Sequence, residues 1–346
     1  MDKVAVVILN WNGAEMMQNF LPSVLACSQE TGVSVYVADN GSEDDSVDML
    51  KSDFPQVNLI CLDRNYGFAE GYNKALEKVN AEYYVLLNSD VEIRDRHWLS
   101  HLILYMDTHP EAGACQPKLM SLSNPDTFEY AGGAGGFLDR YGYPYCRGRI
   151  MDTVEKDEGQ YDDIVPLMWA TGAALMVRAA DWRKAGGLDG RFFAHMEEID
   201  FCWRLRIMGR QIVCVSQSRV YHLGGATLSK GNPRKVYLNF RNNLLMLYKN
   251  LPEAELKEVM RMKRVLDAVA ALKFLLTGDI GAFRAVRTAR RDFNRMKHDG
   301  DIVSLRREIQ AGRVGDSAGE RTGISILWQY YVHRCRRYQD LKHYES

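Results

Sequence analysis

Four apolar runs in the first ninety residues each end in a cluster of Asn and Asp. Val4–Leu9 runs into Asn10-Trp11-Asn12-Gly13, and Val33–Ala38 into Asp39-Asn40-Gly41-Ser42. Val57–Leu62 runs into Asp63-Arg64-Asn65-Tyr66-Gly67, and Tyr83–Leu87 into Asn88-Ser89-Asp90. Helical segments separate them, over about 14–27, in an acid-rich stretch after Ser42, and over 68–79. Uninterrupted apolar strands are buried on both faces, and strands alternating with helices form a parallel sheet covered on both sides. The carboxyl ends of such strands emerge at one edge, where ligands bind. Asn, Asp and Gly also make good turns, so chain reversal explains any one of these endings. Four in register are harder to dismiss.

After about residue 110 the alternation loosens. Residues 131–165, with Gly132, Gly133, Gly135 and Gly136, lack a clear period and read as a long loop or an excursion over the site edge. Met168–Arg178 reads as a strand containing Thr171-Gly172, followed by helices near 180–185 and 197–208, the latter capped by Gly209. Ile212–Val215 and Val220–His222 read as two short strands, and beyond Asn232 helices dominate. No internal repeat is visible.

At 346 residues and 46% hydrophobic the chain can bury a large core. A net charge of −1 gives no nucleic-acid signature, but the charge is uneven. Residues 251–346 hold 19 Lys and Arg against 13 Asp and Glu, leaving the front of the chain at −7. Seven scattered cysteines without a CxxC pair argue against a zinc site or a disulfide framework and fit a reducing compartment. Cys61, Cys115, Cys202 and Cys214 lie in apolar stretches and read as small core residues. The N-terminal segment is strand-like and lacks the features of a signal peptide. No run of 18 apolar residues exists, so a soluble or peripheral protein is expected.

The chemistry-bearing residues gather at the strand ends. Asp90 can ligate a hard divalent cation shared with substrate phosphates. There is no GxGxxG after the first strand and no GxxxxGK[ST] loop. A nucleotide would therefore be held by side chains such as Asp39 and Asn65 and by a metal. His222 precedes Gly224-Gly225, which permit close backbone approach, and a neutral imidazole can complete a coordination sphere begun by Asp90. Glu197-Glu198 opens a helix beside Phe192, Phe193 and Met196; acids in a first turn suit the helix dipole, and a desolvated one can act as general base. Asp200 and Arg204, spaced i, i+4, are expected to pair on the helix surface.

Taken together, VAVVILNWNG, VYVADNGSEDDSV, NYGFAEGYNKAL, YYVLLNSDVEI, WATGAALMVR, GGLDGRFFAHMEEIDFCWRLRIMG and VYHLGGATL resemble the family 2 glycosyltransferases, inverting enzymes of the GT-A fold, and especially the bacterial rhamnosyltransferase-like branch. The resemblance covers residues 4 to about 245, including NFRNNLLML. It implies an α/β fold with a mostly parallel sheet flanked by helices: a catalytic domain at 1–245 and a helical appendage at 246–346. It implies donor-nucleotide contacts from Asn10, Asn12, Asp39, Asn65, Gly67, Asn88 and Ser89, with Asp39 on the nucleoside. Trp169, Thr171 and Gly172 fall near the donor sugar and acceptor entrance. Asp90, with His222, would hold Mg²⁺ or Mn²⁺ in a DxD-like motif whose first position is the neutral Asn88. Glu197-Glu198 matches the family's acidic pair, usually Glu-Asp, whose second member is the base. Because Glu198 is one methylene longer than that Asp, Glu197 and Asp200 stay in the set.

The implied reaction moves a sugar from a dTDP- or UDP-linked donor, rhamnose being one candidate, to a hydroxyl of a glycan or lipid-linked glycan in cell-surface polysaccharide synthesis. The competing readings are an inactive nucleotide-sugar or glycan-binding homologue, which predicts loss of the acids, and a nucleotidylyltransferase, which wants a basic Gly-rich first loop. The basic rear helices read either as a packing or homodimer surface or as a peripheral membrane patch, the latter at the inner face of the membrane of a cytoplasmic protein.

Overall fold

The computed structural model describes residues 1–224, 232–315 and 319–341. Its first strands are β1 (Asp2–Asn10), β2 (Val33–Asp39), β3 (Asn58–Cys61) and β4 (Ala81–Leu87), separated by helices α1 (Ala14–Ala26), α2 (Ser46–Asp53) and α3 (Gly67–Leu76). These four strands are parallel in the order β3-β2-β1-β4, as continuous apolar runs require. Register sets Asn10 opposite Asp39, and Ile8 opposite Leu87, so the polar endings share one edge.

The sheet continues beyond β4 with changed direction. After the two-residue β5 (Val91–Glu92) and helix α4 (Trp98–Thr108) comes β6 (Ala112–Ser121). Four short strands follow, β7 (Gly136–Leu138), β8 (Pro144–Cys146), β9 (Arg149–Ile150) and β10 (Thr153–Val154). They form a small antiparallel sheet where the sequence suggested a loop, because a few residues per strand show no readable period. The strand β11 (Ala174–Arg178) is shorter than expected, and 168–173 approaches it as irregular chain. It lies antiparallel between β4 and β6. Helix α5 (Ala179–Ala185) and helix α6 (Glu197–Ile207) lead to β12 (Gln211–His222). This is one strand in place of the two anticipated, joined across a register shift between Val215 and Arg219. The polar Ser216-Gln217-Ser218 bulge interrupts the apolar pattern without ending the strand.

Helices complete the chain: α7 (Pro233–Asn250), α8 (Glu253–Leu276), α9 (Ile280–Met296), α10 (Gly300–Ala311), α11 (Ile326–Tyr331) and α12 (Tyr338–Leu341). Leu244–Leu247 of α7 belong to the same buried cluster as α3, α6 and β11, so a division at 245/246 falls within a core helix. Residues of α11 and α12 pack on the small sheet through Tyr145, Ile150, Ile326 and Leu341. All seven cysteines are free; Cys115, Cys202 and Cys214 are buried as expected, but Cys61 is exposed because it ends an edge strand. Among the described residues no helix is long and apolar enough to cross a membrane.

Candidate active site

The polar strand ends form one connected cluster. Asn10 Nδ2 donates to Asp39 Oδ1 at 3.1 Å, and Ser42 N donates to Asp39 Oδ2 at 3.0 Å. Asn12, exposed and at φ 48°, ties the first loop to the second: its backbone N–H donates to Ser42 Oγ and its side-chain Oδ1 accepts from Glu43 N. Asn40 carries the link onward, accepting from Tyr66 N at 3.0 Å and donating to Gly67 O at 3.0 Å and Asn65 Oδ1 at 3.3 Å. Asn65 Oδ1 also accepts from Gly67 N. Gly67 sits at φ 77°, and a Cβ there would lie 2.5 Å from the Phe193 ring, so only glycine fits. Asp39 is buried with one bond at each oxygen, which leaves lone pairs for a further donor.

A second cluster joins residues 132 apart in sequence. Antiparallel pairing of β5 with β12 places His222 against Asp90, and His222 Nε2 donates to Asp90 Oδ1 at 3.0 Å. Asn88 Nδ2 lies 3.3 Å from the same nitrogen, and Ser89 is half-buried between the two. His222 Nδ1 faces the buried Glu129 Oε1 at 3.5 Å. Burial alone would lower the His222 pKa, but the bonds to Asp90 and Glu129 push it up to about 10. Burial would likewise raise Asp90, yet His222 holds it below the usual carboxylate value. Gly225, paired in sequence with Gly224 after His222, lies outside the described residues.

Two cis ligands of an octahedral cation at about 2.1 Å stand about 3 Å apart, the separation of Asp90 Oδ1 and His222 Nε2. A carboxylate behind the second ring nitrogen is the usual support of a metal-bound imidazole. Among the described residues no group of three or more His, Cys, Asp and Glu is set to hold a metal. The donor set therefore suits a cation that takes its other ligands from substrate phosphates and water.

The third cluster is the acidic pair. Phe193, His195 and Met196 all have positive φ, at 65°, 70° and 73°, directly before Glu197. Non-glycine residues hold such angles only under outside restraint. Asn242 of α7, fully buried, supplies it by donating to the carbonyls of Phe192 (3.0 Å), Ala194 (2.9 Å) and His195 (2.7 Å). Arg241 donates to the carbonyls of Arg191 and Phe192. Glu197 is buried and Glu198 half-buried, and each has an Oε2 without a hydrogen-bond partner. Burial raises Glu198 to about 7; burial and then the adjacent Glu198 raise Glu197 well above the carboxylate range.

Three candidates are buried and hydrogen-bonded within the fold. Asp200 is wholly buried and accepts from Arg204 (3.0 Å), Lys249 (2.9 Å) and Asn250 (2.8 Å). The expected Asp200–Arg204 pair thus forms in the core instead of on the surface, where it anchors α7 and its full burial keeps Asp200 out of contact with solvent. Trp169 is buried, and its indole N–H is used by the Phe137 carbonyl at 3.0 Å. Thr171 is also buried, its Oγ accepting from Ala173 N.

Gly172 connects the three clusters. A side chain there would meet the Phe68 ring at 3.4 Å and Glu198 Cβ at 3.6 Å, while the neighbouring Ala173 carbonyl accepts from Asn88 N at 3.0 Å. Phe68 N in turn donates to Phe193 O at 2.7 Å. Acid pair, cation-sized pair and strand-end cluster therefore border one edge of the sheet. Sequence reading gave Asn40, Glu129, Arg241 and Asn242 no individual role; the signal for the last two was a polar Arg-Asn-Asn triplet inside an apolar helix. Asn242→Ala is expected to destabilise by about 1–3 kcal/mol, because buried carbonyls lose their donor. It should also lower kcat more than it raises KM, read from thermal melts together with steady-state kinetics.

Known proteins resemble this chain in sequence and in fold. Residues 5–155 match the model of Glycosyl transferase family 2. The chain is 26% identical over 243 residues to N-acetylglucosaminyl-diphospho-decaprenol L-rhamnosyltransferase of Mycobacterium tuberculosis, covering 64% of this chain and 76% of that protein. It is 25% identical over 267 residues to dTDP-rhamnosyl transferase RfbF of Shigella flexneri, covering 72% and 81%. Among solved structures, GalNAc-T7 with UDP, GalNAc and Mn²⁺ superimposes with a TM-score of 0.61 at 14% identity, over 99% of this chain but only 58% of that one. S. aureus TarS 1–349 with UDP-GlcNAc gives 0.55 at 16% identity, over 90% and 88%. The structural likenesses carry the GT-A fold, and the chain is a glycosyltransferase whose residues 5–155 match the family 2 model and whose sequence is similar to rhamnosyltransferases.

Proposed function

We propose that this glycosyltransferase transfers a sugar from a nucleoside-diphosphate donor to a hydroxyl of a glycan or lipid-linked glycan, by single displacement with inversion, in cell-surface polysaccharide synthesis. The observation that carries the mechanism is the pairing, along one sheet edge, of a carboxylate with an unpartnered oxygen and a carboxylate–imidazole pair at cation-ligand spacing. The relatives named for rhamnosyl transfer favour a dTDP-linked donor, with UDP-linked sugars the second class.

Asp39, Asn10, Asn12, Asn65 and Gly67 would receive the nucleoside, with Asp39 accepting from its hydroxyls or base. Asn88 and Ser89 would face the diphosphate. Asp90 and His222 would hold a Mg²⁺ or Mn²⁺, which when bound neutralises the charge growing on the leaving diphosphate. The imidazole must give up its Nε2 proton to take that role, and Glu129 keeps the opposite nitrogen oriented.

Glu198 would take the proton of the acceptor hydroxyl as that oxygen attacks the anomeric carbon from the face opposite the diphosphate. A carboxylate poised near neutrality is matched to that task. Glu197, more deeply buried, stays protonated beside it and limits the pair to one charge, since two adjacent buried carboxylates repel. Gly172, beside Glu198, leaves room for the acceptor.

The test is a panel of dTDP-, UDP- and GDP-sugars, scored by nucleotide release with Mg²⁺, Mn²⁺ or chelator. Metal-dependent release from one donor is expected, and metal-independent release would remove Asp90 and His222 from their role. Glu129→Gln should weaken activation by Mn²⁺ about 10–100-fold, the usual cost of losing a carboxylate behind a ligand. It should leave turnover at saturating metal close to that of the parent.

A further inference from the structure

Helix α8 is packed inside out. Its inward face buries Val259, Lys263, Asp267 and Ala271, so two of its four buried positions are charged. Those charges are satisfied: Lys263 Nζ lies 3.2 Å from Asp267 Oδ1 and 3.8 Å from the Tyr143 ring centre, and Arg290 of α9 bonds to Asp267. The outward face carries Met262, Val265, Val269, Leu272 and Leu276. Val269, Leu272 and Leu276 are 60%, 54% and 77% exposed. Spacings of three and four residues place these side chains in one stripe along the helix. A helix that buries ions and presents a line of aliphatics to water needs an apolar cover.

The charges around the stripe identify the cover. The exposed charged residues of α8 beyond Glu258 are Arg261, Arg264 and Lys273, all cations. At 100° per residue, Lys273 falls on one flank of the stripe and Arg264 on the other. The adjoining helix α9 exposes Arg284, Arg287, Arg291 and Arg295, a second stripe at helical spacing, with no exposed acid. Asp292 is half-buried and taken by Arg291 and by the Tyr237 hydroxyl. Two-fold pairing of this face with a second copy would set each patch against itself and oppose these like charges. An anionic lipid surface satisfies both features, taking the aliphatic stripe into the acyl boundary and the arginines at the headgroups.

We propose that the outer face of α8, flanked by the arginines of α9, docks this protein on an anionic bilayer as an interfacial amphipathic hairpin. The test is co-sedimentation of the full chain with phosphatidylglycerol-rich vesicles and with pure phosphatidylcholine vesicles at low and high salt, alongside analytical ultracentrifugation without lipid. Binding to the anionic vesicles alone, lost at high salt, is expected. The exposed double change Val269→Asp with Leu272→Asp should abolish it. A triple change, Arg284→Gln, Arg287→Gln and Arg291→Gln, leaves the apolar stripe intact; at about fivefold per cation it should weaken partitioning roughly a hundredfold. No vesicle binding, or equal binding to both lipids, would overturn the proposal. So would a dimer that the Asp variant dissociates, because the stripe would then belong to a second copy.

Discussion

Glu198→Gln is expected to reduce kcat by about 10²–10⁴-fold, the range typical for removal of a general base, with donor binding nearly unchanged. The amide keeps the shape at the start of α6 and cannot take a proton. In the parent enzyme kcat/KM should rise with pH and level off above about 7, where the carboxylate becomes charged. That acidic limb should be missing from the residual activity of the variant. Stability should move the opposite way. The folded-state pKa of Glu198 lies above that of a free glutamate, about 4.3, so the folded protein binds more protons than the unfolded chain between the two values. Stability is therefore lost as pH rises from about 4.3 through about 7. Glu198→Gln removes that loss and should raise the melting temperature at pH 8 while leaving it unchanged at pH 4. A variant with near-parent turnover, or one that melts lower at pH 8, would transfer the base role away from Glu198.

Asp90→Ala should cost about three orders of magnitude in turnover, since a Lewis acid at the leaving group supplies several kcal/mol of transition-state stabilisation. Among the described residues the substitution leaves Glu129 as the charged partner of His222, and it would take away one of the two protein ligands proposed for the cation. Donor binding measured calorimetrically should lose its dependence on Mn²⁺. Binding without metal should change little, because Asp39, Asn10 and Asn65 sit in a separate cluster. If donor affinity of Asp90→Ala still rose with Mn²⁺ as in the parent, the cation would have to bind elsewhere. Glu198→Gln should keep that Mn²⁺ dependence, so the two variants separate the leaving-group end of the reaction from the acceptor end.

Sequence periodicity located the helices of the first hundred residues well, and it located the four parallel strands for a physical reason. A strand covered on both faces must be apolar throughout, and its polar exit must lie at the sheet edge. It failed where elements were too short to carry a period, as in the sheet at 136–154. It also failed where a bulge broke one strand into two readings, as at Val215–Arg219. Asp200 shows a different limit. Spacing revealed its pairing with Arg204, but burial depended on Lys249 and Asn250 arriving from α7, some fifty residues later. Trp169 read as a site residue because of its neighbours in sequence, while its side chain turned inward to Phe137.

What the sequence determined by itself is the chemistry available at the sheet edge: Asn10, Asp39, Asn65, Asn88 and Asp90 at strand exits, and Glu197-Glu198 opening a helix. These follow from local rules, because strand direction and helix start fix which way a neighbouring side chain emerges. The tertiary structure decided which of them lie together. The β5–β12 pairing brings His222 to Asp90 and Glu129 behind it, and Asn242 holds the strained turn that presents Glu198. Such contacts join residues tens to more than a hundred positions apart, and no local preference encodes them. Only packing could also reveal that α8 faces its aliphatic side outward, since the same sequence stripe, turned inward, would be an ordinary core.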